Sequence, residues 1–267
     1  MTRLKTDWIK DIEKDIYDCE RYLNEKTGMN FLALMDKVSQ VEFLDRKAQM
    51  ESVKVAIVPI TVGLGIIDTF CESVAAIVRV MGFHVFVTEK TDVDGIFEAS
   101  QRGANVVYLA DDHRFIAINL KNGKIADNNK ATALGYVTVL EGATGSLKGQ
   151  EILLLGYGLV GREIYRFLEE KGATVTVYDK DEIKKKELRE KNRRTIETVE
   201  DICRFRRVVD ATSEGNWITK DVLHSEAWIV TPGVPLSLDE EAYAQCNGRI
   251  IHDYLQIGVA VMLGLVL

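Results

Sequence analysis

Ile9, Ile12, Ile16, Cys19 and Leu23 recur at three- and four-residue steps, with Asp, Glu and Lys between them. That spacing lines apolar side chains along one face of a helix. Thr6 or Asp7 stands where a cap is expected and Gly28 where the helix ends; a second helical stretch follows over 31–43. From residue 53 the rhythm changes. KVAIVPIT is a short run rich in β-branched residues, as in a strand buried on both faces. Gly63 and Gly65 follow, then an apolar-periodic helix over 66–81. HVFVTE reads as a strand, DVDGIFEASQRG as a helix and NVVYLA as a third strand. RFIAINLKNGKIAD predicts a hairpin turning at Asn122-Gly123, and 128–143 a long helix.

A second series begins at Glu151: EILLLG, a helix, ATVTVYD, a helix, then RVVDAT, AWIVTPG and RIIHDYL before a last apolar helix. Strands alternating with helices at this spacing require crossover connections and hence parallel pairing. The pattern predicts an α/β protein of two parts. An N-terminal α/β domain with leading helices spans 1–128 and a linking helix spans 129–148. A C-terminal doubly wound parallel sheet, of Rossmann type, spans 149–267.

That second part carries a specific signal. Gly156, Gly158 and Gly161 form G-x-G-x-x-G after an apolar strand and at the start of a helix, and the next strand ends in Asp179. This is the context of a dinucleotide site. Gly156 permits the tight turn, Gly158 lets backbone approach a pyrophosphate, and Gly161 brings helix and strand together. Tyr157, Leu159 and Val160 complete the loop, whose N–H groups and helix N-terminus attract phosphate. Asp179 is placed to accept from ribose hydroxyls and to repel a 2′-phosphate, which favours NAD over NADP, although Lys180 beside it softens that preference. Thr212, Ser213, Pro232 and Gly233 follow strands ending on the same edge, where they are expected to line the nicotinamide end.

Composition narrows the class. The 267 residues suffice for one large or two modest domains, and 46% hydrophobic with 28% charged residues is ordinary for a globular chain. A net charge of −7 argues against a general affinity for nucleic acid. Cys19, Cys71, Cys203 and Cys246 form no C-x-x-C pair, so free thiols in a reducing cytoplasm are expected and no metal site is spelled out. The charged N-terminus lacks a signal-peptide pattern. The apolar stretch 257–267 is too short for a bilayer, which takes about 20 residues; it reads as a buried or subunit-facing helix, the latter implying a homo-oligomer.

No HExxH, P-loop or Ser-His-Asp arrangement appears. His84 lies in a strand, His113 follows an acidic pair, His224 reads as exposed on a helix, and His252 lies near a strand end; none has a partner at telling spacing. The acidic pair itself, Asp111 and Asp112 in LADDHRF, sits at the carboxyl end of a buried strand, where α/β sheets present ligand contacts. Paired acids there suit a cationic amine, or a solvated turn in which they bind nothing.

The stretches IVPITVGLGIIDTFCES (57–73), ADD (110–112), NLKNGKIADNN (119–129), the glycine-rich segment, TPGVP and IGVAVML resemble the PylD family of pyrrolysine-forming dehydrogenases. The resemblance runs from residue 53 to the end; before it, the chain matches only in being helical. It implies an NAD-linked oxidation of a lysine-derived pseudodipeptide in which 3-methyl-D-ornithine is joined to the lysine ε-nitrogen. The carbon bearing the terminal amine of the ornithine gives up a hydride. The imine is hydrolysed with loss of ammonia, and the α-amine condenses on the aldehyde, losing water and closing a pyrroline ring. The resemblance further implies Asp111 as substrate anchor, with Asp112 beside it as a catalytic group, and Thr61 and Gly63 as substrate contacts. Val62 and Leu64 depart from the small polar residues of the family and imply a more apolar substrate wall. An NAD-linked dehydrogenase of another amino acid or hydroxy acid, or a non-catalytic NAD-sensing module, also fits the second half alone.

Overall fold

A computed structural model describes residues 4–39, 46–246 and 248–267. The leading helices are α1 (Thr6–Ile9), α2 (Ile12–Thr27), α3 (Phe31–Ser39) and α4 (Arg46–Ser52). The first periodic stretch breaks between α1 and α2. Neither Thr6 nor Asp7 caps it: Lys5 holds the cap position of α1 without a side-chain bond. Gly28 does end α2, in the left-handed conformation (φ 70°) that favours glycine. The part of the expected second helix at 40–43 lies outside the described residues.

The first sheet contains β1 (Lys54–Val58), β2 (His84–Val87), β3 (Val106–Ala110), β4 (Phe115–Asn119) and β5 (Ile125–Asp127), in the order β2-β1-β3-β4-β5. Helices α5 (Phe70–Val80) and α6 (Asp92–Gln101) cross over between its parallel strands β1, β2 and β3, while β3, β4 and β5 pair antiparallel. The hairpin turns where Gly123 takes φ 73°. Burial explains the apolar run of β1. Val55 and Ile57 point into the main core, and Ala56 and Val58 into a second cluster with Ala99. The helix expected from residue 66 starts only at Phe70, because Gly63 and Gly65 (both φ 78°) and Thr69 (φ 64°) turn the chain before it.

Helix α7 (Asn128–Thr144) then leads into β6 (Glu151–Leu155), α8 (Leu159–Glu170), β7 (Thr174–Tyr178), α9 (Glu182–Glu190), β8 (Arg194–Thr195), β9 (Arg207–Asp210), β10 (Trp228–Thr231), α10 (Glu240–Gln245), β11 (Ile250–His252) and α11 (Gln256–Val266). The six strands pair in parallel in the order β11-β10-β9-β6-β7-β8. This is the Rossmann order, with its switch point between β6 and β9. Ile152 and Leu154 of β6 face the main core, while Leu153 and Leu155 face a separate cluster.

Chain order and packing part company at the end. Helix α11 packs on α3, α5, α7, β4 and β5. Its backbone accepts bonds from Tyr108 Oη (to Val259 O, 2.9 Å) and Asn119 Nδ2 (to Val266 O, 3.0 Å). The division at 149 therefore separates the strands of the two lobes but not this helix, whose nearly continuous apolar surface packs on the first lobe and on α7. A Cβ on Gly135 of α7 would come within 2.4 Å of Ile257, which shows how closely α7 and α11 cross. No described helix is long and apolar enough to span a membrane.

A candidate active site between the lobes

Two clefts open along the carboxyl edge of the second sheet and meet at Ala211, Thr212 and Ser213. The outer one passes Gly156, Gly158, Tyr178, Asp179 and Trp217. Gly156 turns with φ 87°, and a Cβ there would press on Ala211 backbone at 3.0 Å. At Gly161 a Cβ would stand 2.0 Å from Gly156 O, so helix and loop touch directly. Over Gly158, by contrast, nothing lies within 4 Å of such an atom. No side chain caps α8, so the N–H groups of its first turn, at Leu159, Val160 and Gly161, have no acceptor within the helix. Open space above uncapped N–H groups fits a pyrophosphate.

The remaining loop residues divide. Tyr157 turns inward: it is 2% exposed, lies edge-on to Tyr165, meets Arg162 and Arg193, and donates its N–H to Asp179 Oδ2 at 2.7 Å. That N–H is already committed inside the protein. Leu159 is exposed, and Val160 lines the cleft between the lobes. Asp179 stands on the outer cleft wall, also accepting from Asp181 N–H at 2.9 Å and pairing with Lys184 at 3.2 Å. Lys180, whose charge bore on the cofactor preference, pairs instead with Glu214 on the rim.

Where the two clefts meet, the organising residue is Asp210, fully buried at the end of β9. It accepts from Thr212 N–H (3.0 Å), Thr212 Oγ1 (2.7 Å), Thr231 Oγ1 and Ser237 Oγ, while burial pushes its carboxyl above the usual carboxylate range. Its backbone oxygen accepts from Gly233 N–H at 3.2 Å. Thr212, Ser213, Pro232 and Gly233 thus line one wall, held by an acid that the VVDAT motif contains but that sequence reasoning passed over. An acid ending an otherwise apolar strand was the available signal.

The opposite wall comes from the first lobe. Asp111 and Asp112 both border the cleft between the lobes, beside Phe70 and Phe115. Asp111 is exposed; its Oδ1 accepts from His113 N–H (2.8 Å) and Arg114 N–H (2.7 Å), and these bonds hold its carboxyl below the usual range. Asp112 Oδ2 accepts from Leu64 N–H at 2.6 Å, in the space where a Cβ on Gly63 would stand. Thr61 and Gly63 do not line the described clefts. Thr61 gives both its N–H and its hydroxyl to Asp92, and Gly63 serves by making room for Asp112. Val62 and Leu64, expected on the substrate wall, are 61% and 77% exposed and do not line the clefts either.

The floor was not anticipated. Asn128, Asn129, Thr132 and Tyr136 of α7 meet Asp253, between β11 and α11. Burial pushes the Asp253 carboxyl up to about 6. Tyr136 Oη accepts Asp253 N–H at 3.0 Å and donates to Asp253 O at 3.2 Å. Among the histidines, His252 bonds Thr231 O through Nδ1 at 2.9 Å. Its buried Nε2 has no hydrogen-bond partner among the described residues, and burial lowers its pKa. His84 and His113 are exposed, and His224 lies in a loop, not a helix, where Nδ1 accepts Glu226 N–H at 3.0 Å. Among the described residues no group of three or more His, Cys, Asp or Glu side chains is placed to hold a metal ion.

Comparison with known proteins adds to this geometry. Residues 8–126 match the family model described as pyrrolysine biosynthesis protein PylD, N-terminal domain. The match takes in the leading helices, so the likeness extends well before residue 53. The chain is 32% identical to the pyrrolysine synthase of Methanosarcina acetivorans, over 98% of each chain. It is 37% identical to the pyrrolysine synthase of Methanosarcina barkeri, over 79% of this chain and 80% of that one. Among solved structures, shikimate dehydrogenase from Aquifex aeolicus aligns with a TM-score of 0.51 at 17% identity, covering 80% of this chain and 90% of that chain. The Thermus thermophilus shikimate 5-dehydrogenase in complex with NADP(H) and shikimate aligns at 0.52 and 18%, covering 80% and 94%. These two likenesses concern the fold.

Proposed function

The chain belongs to the PylD family of pyrrolysine synthases, and from that membership we propose that it is an NAD-dependent dehydrogenase completing pyrrolysine. Its substrate in this reading is the pseudodipeptide of 3-methyl-D-ornithine and lysine, oxidised at the carbon bearing the terminal amine of the ornithine. Loss of ammonia and then of water closes the ring. The observation that carries the reading is the shared cleft: Asp111 and Asp112 of the first lobe border the same space as Val160, Thr212 and Pro232 of the second.

The residues divide the work. Gly156, Gly158 and the first turn of α8 would hold the pyrophosphate, and Asp179 the adenosine ribose. Thr212, Ser213, Pro232 and Gly233 would bound the nicotinamide end. The bound nicotinamide supplies a two-electron acceptor for a hydride. Asp111, kept ionised by two backbone N–H donors, suits an anchor for a substrate ammonium. Asp112 braces the 63–65 turn beside it. Fixing the amine from one lobe against the other brings reacting atoms to near-attack distance.

Incubation with NAD and the purified pseudodipeptide, following NADH absorbance and product mass together, tests the reading. NADH formation with a mass loss equal to ammonia plus two hydrogens is expected. Absence of both under conditions where the protein binds NAD would sink it.

A further inference from the structure

An amine with an ordinary pKa of about 10.4 is overwhelmingly an ammonium at neutral pH, roughly a thousandfold or more over its free base. As an ammonium it has no lone pair with which to stabilise the cation left when a hydride departs. Oxidation as read above therefore needs a group in the cleft that removes one proton. The acids on the cleft wall are not equivalent. Asp111 is held in its charged form by His113 and Arg114 N–H groups, which makes it a poor proton acceptor. Asp112 has Oδ2 occupied by Leu64 N–H at 2.6 Å.

Asp253 differs in place and in surroundings. It borders the cleft from the floor, where the second sheet gives way to α11, so it belongs to neither acidic turn. Its carboxylate accepts from the Ile257 N–H at 3.3 Å and is also met by the Leu255 and Gln256 N–H groups and the Tyr136 hydroxyl. Beside it α11 and α7 approach closely, for a Cβ on Gly258 would stand 2.7 Å from Asn128 Oδ1 and 2.9 Å from Thr132 Oγ1. The titratable groups around it are Tyr136 from α7, Cys19 from α2, Asp111 and Asp112 across the cleft, and His252 and Tyr254 on its own segment. Among the described residues no Lys or Arg borders the cleft. Burial outweighs the N–H and hydroxyl donors and gives Asp253 a raised affinity for a proton, the opposite of Asp111. Two carboxyls pushed apart by their settings take different roles in one reaction.

We propose that Asp253 is the proton acceptor of the site, with Asp111 as the anchor; this assignment rests on the amine-oxidation reading above. One N–H bond of R–CH2–NH3+ breaks with its electron pair left on nitrogen, and an O–H bond forms on the Asp253 carboxylate. The free lone pair would then support the carbon as its C–H electron pair is given up as hydride, for which a bound nicotinamide would be the acceptor. The Asp253 carboxyl returns its proton to water once the product imine has gone.

The variant Asp253→Asn keeps an acceptor for Ile257 N–H and removes the proton site. We expect kcat to fall about 100-fold or more at pH 7.5, with NAD affinity by equilibrium dialysis unchanged. The residual rate should climb about tenfold per pH unit towards pH 10, as the free amine appears in solution, while the wild type is level above pH 7. A second readout needs no turnover. Calorimetry of the pseudodipeptide binding to NAD-free protein at pH 5, in two buffers of different ionisation enthalpy, should show release of about one proton by the wild type and none by the variant. Wild-type kcat and pH profile in Asp253→Asn would overturn the assignment. So would wild-type protein that releases no proton on binding, a measurement that stands even if the variant does not fold. If the wild type forms no NADH from the pseudodipeptide, the reaction itself is misread; if it does and the variant matches it, only the role of Asp253 falls.

Discussion

Single carboxylates in this protein are set apart by their neighbours more than by their positions in the chain. Asp111→Asn preserves an acceptor for the His113 and Arg114 N–H groups, so its effect reports lost charge and not a lost turn. We expect kcat/KM for the pseudodipeptide to fall about 100-fold with an unchanged melting temperature; a wild-type value would remove Asp111 from the anchor role. Asp179→Asn likewise keeps the Tyr157 bond and drops the charge. Discrimination against NADP, measured as a ratio of kcat/KM values, should shrink about tenfold, equivalent to ~1.4 kcal/mol. An unchanged ratio would place the ribose elsewhere. Asp253 makes a prediction about stability. Its folded carboxyl titrates at about 6 against an ordinary 3.8, so the folded state holds more protons than the unfolded between those values. Stability then declines as pH rises from about 4 to about 6, by up to about 3 kcal/mol. Asp253→Asn should therefore melt above the wild type at pH 8 and together with it at pH 3.5; the reverse order would contradict the burial of this carboxyl. Asp111 and Asp179 stood out in the sequence as candidates because each follows a recognisable strand. Asp253 was not, since its environment comes from α2 and α7, far away in the chain. The partner of Thr61, Asp92, was hidden for the same reason, since it lies on another element.

Elements that show a period or an apolar run were readable, and those with neither were not. The apolar runs of β1, β3, β6 and β9 each gave a strand where one stands, because these central strands are buried on both faces. The two-residue β8, the six-residue α10 and α4 were missed, being too short to display a period. The break between α1 and α2 was also hidden, since Ile9 and Ile12 fit one helical face and yet belong to separate helices. Helix α11 was visible as an apolar run, but its partner was not. Buried on nearly every side by α3, α5 and α7, it fills space that nothing else occupies. Deleting 256–267 should leave the protein insoluble or without a cooperative melting transition, given losses of about 2–5 kcal/mol for each large core side chain removed. A soluble, folded truncation would mean that α11 is dispensable to the core.

For the molecule as a whole, the sequence pattern conveyed two α/β lobes, but not how the lobes share a core. One hydrophobic cluster runs from Ile9 and Phe31 through Tyr136 and Leu140 to Leu154 and Val261, crossing from one sheet to the other. Heating should therefore give a single calorimetric transition with matching calorimetric and van't Hoff enthalpies; two resolved transitions would show lobes that unfold independently. The path of the backbone has a further consequence. It leaves the first lobe through α7, builds the six-stranded sheet, and comes home through α11. A cofactor lobe transplanted from another dehydrogenase by cutting at one junction would strand its own closing helix against a foreign groove. Exchange of parts requires two seams, one on each side of the parallel sheet, with the host's last helix retained.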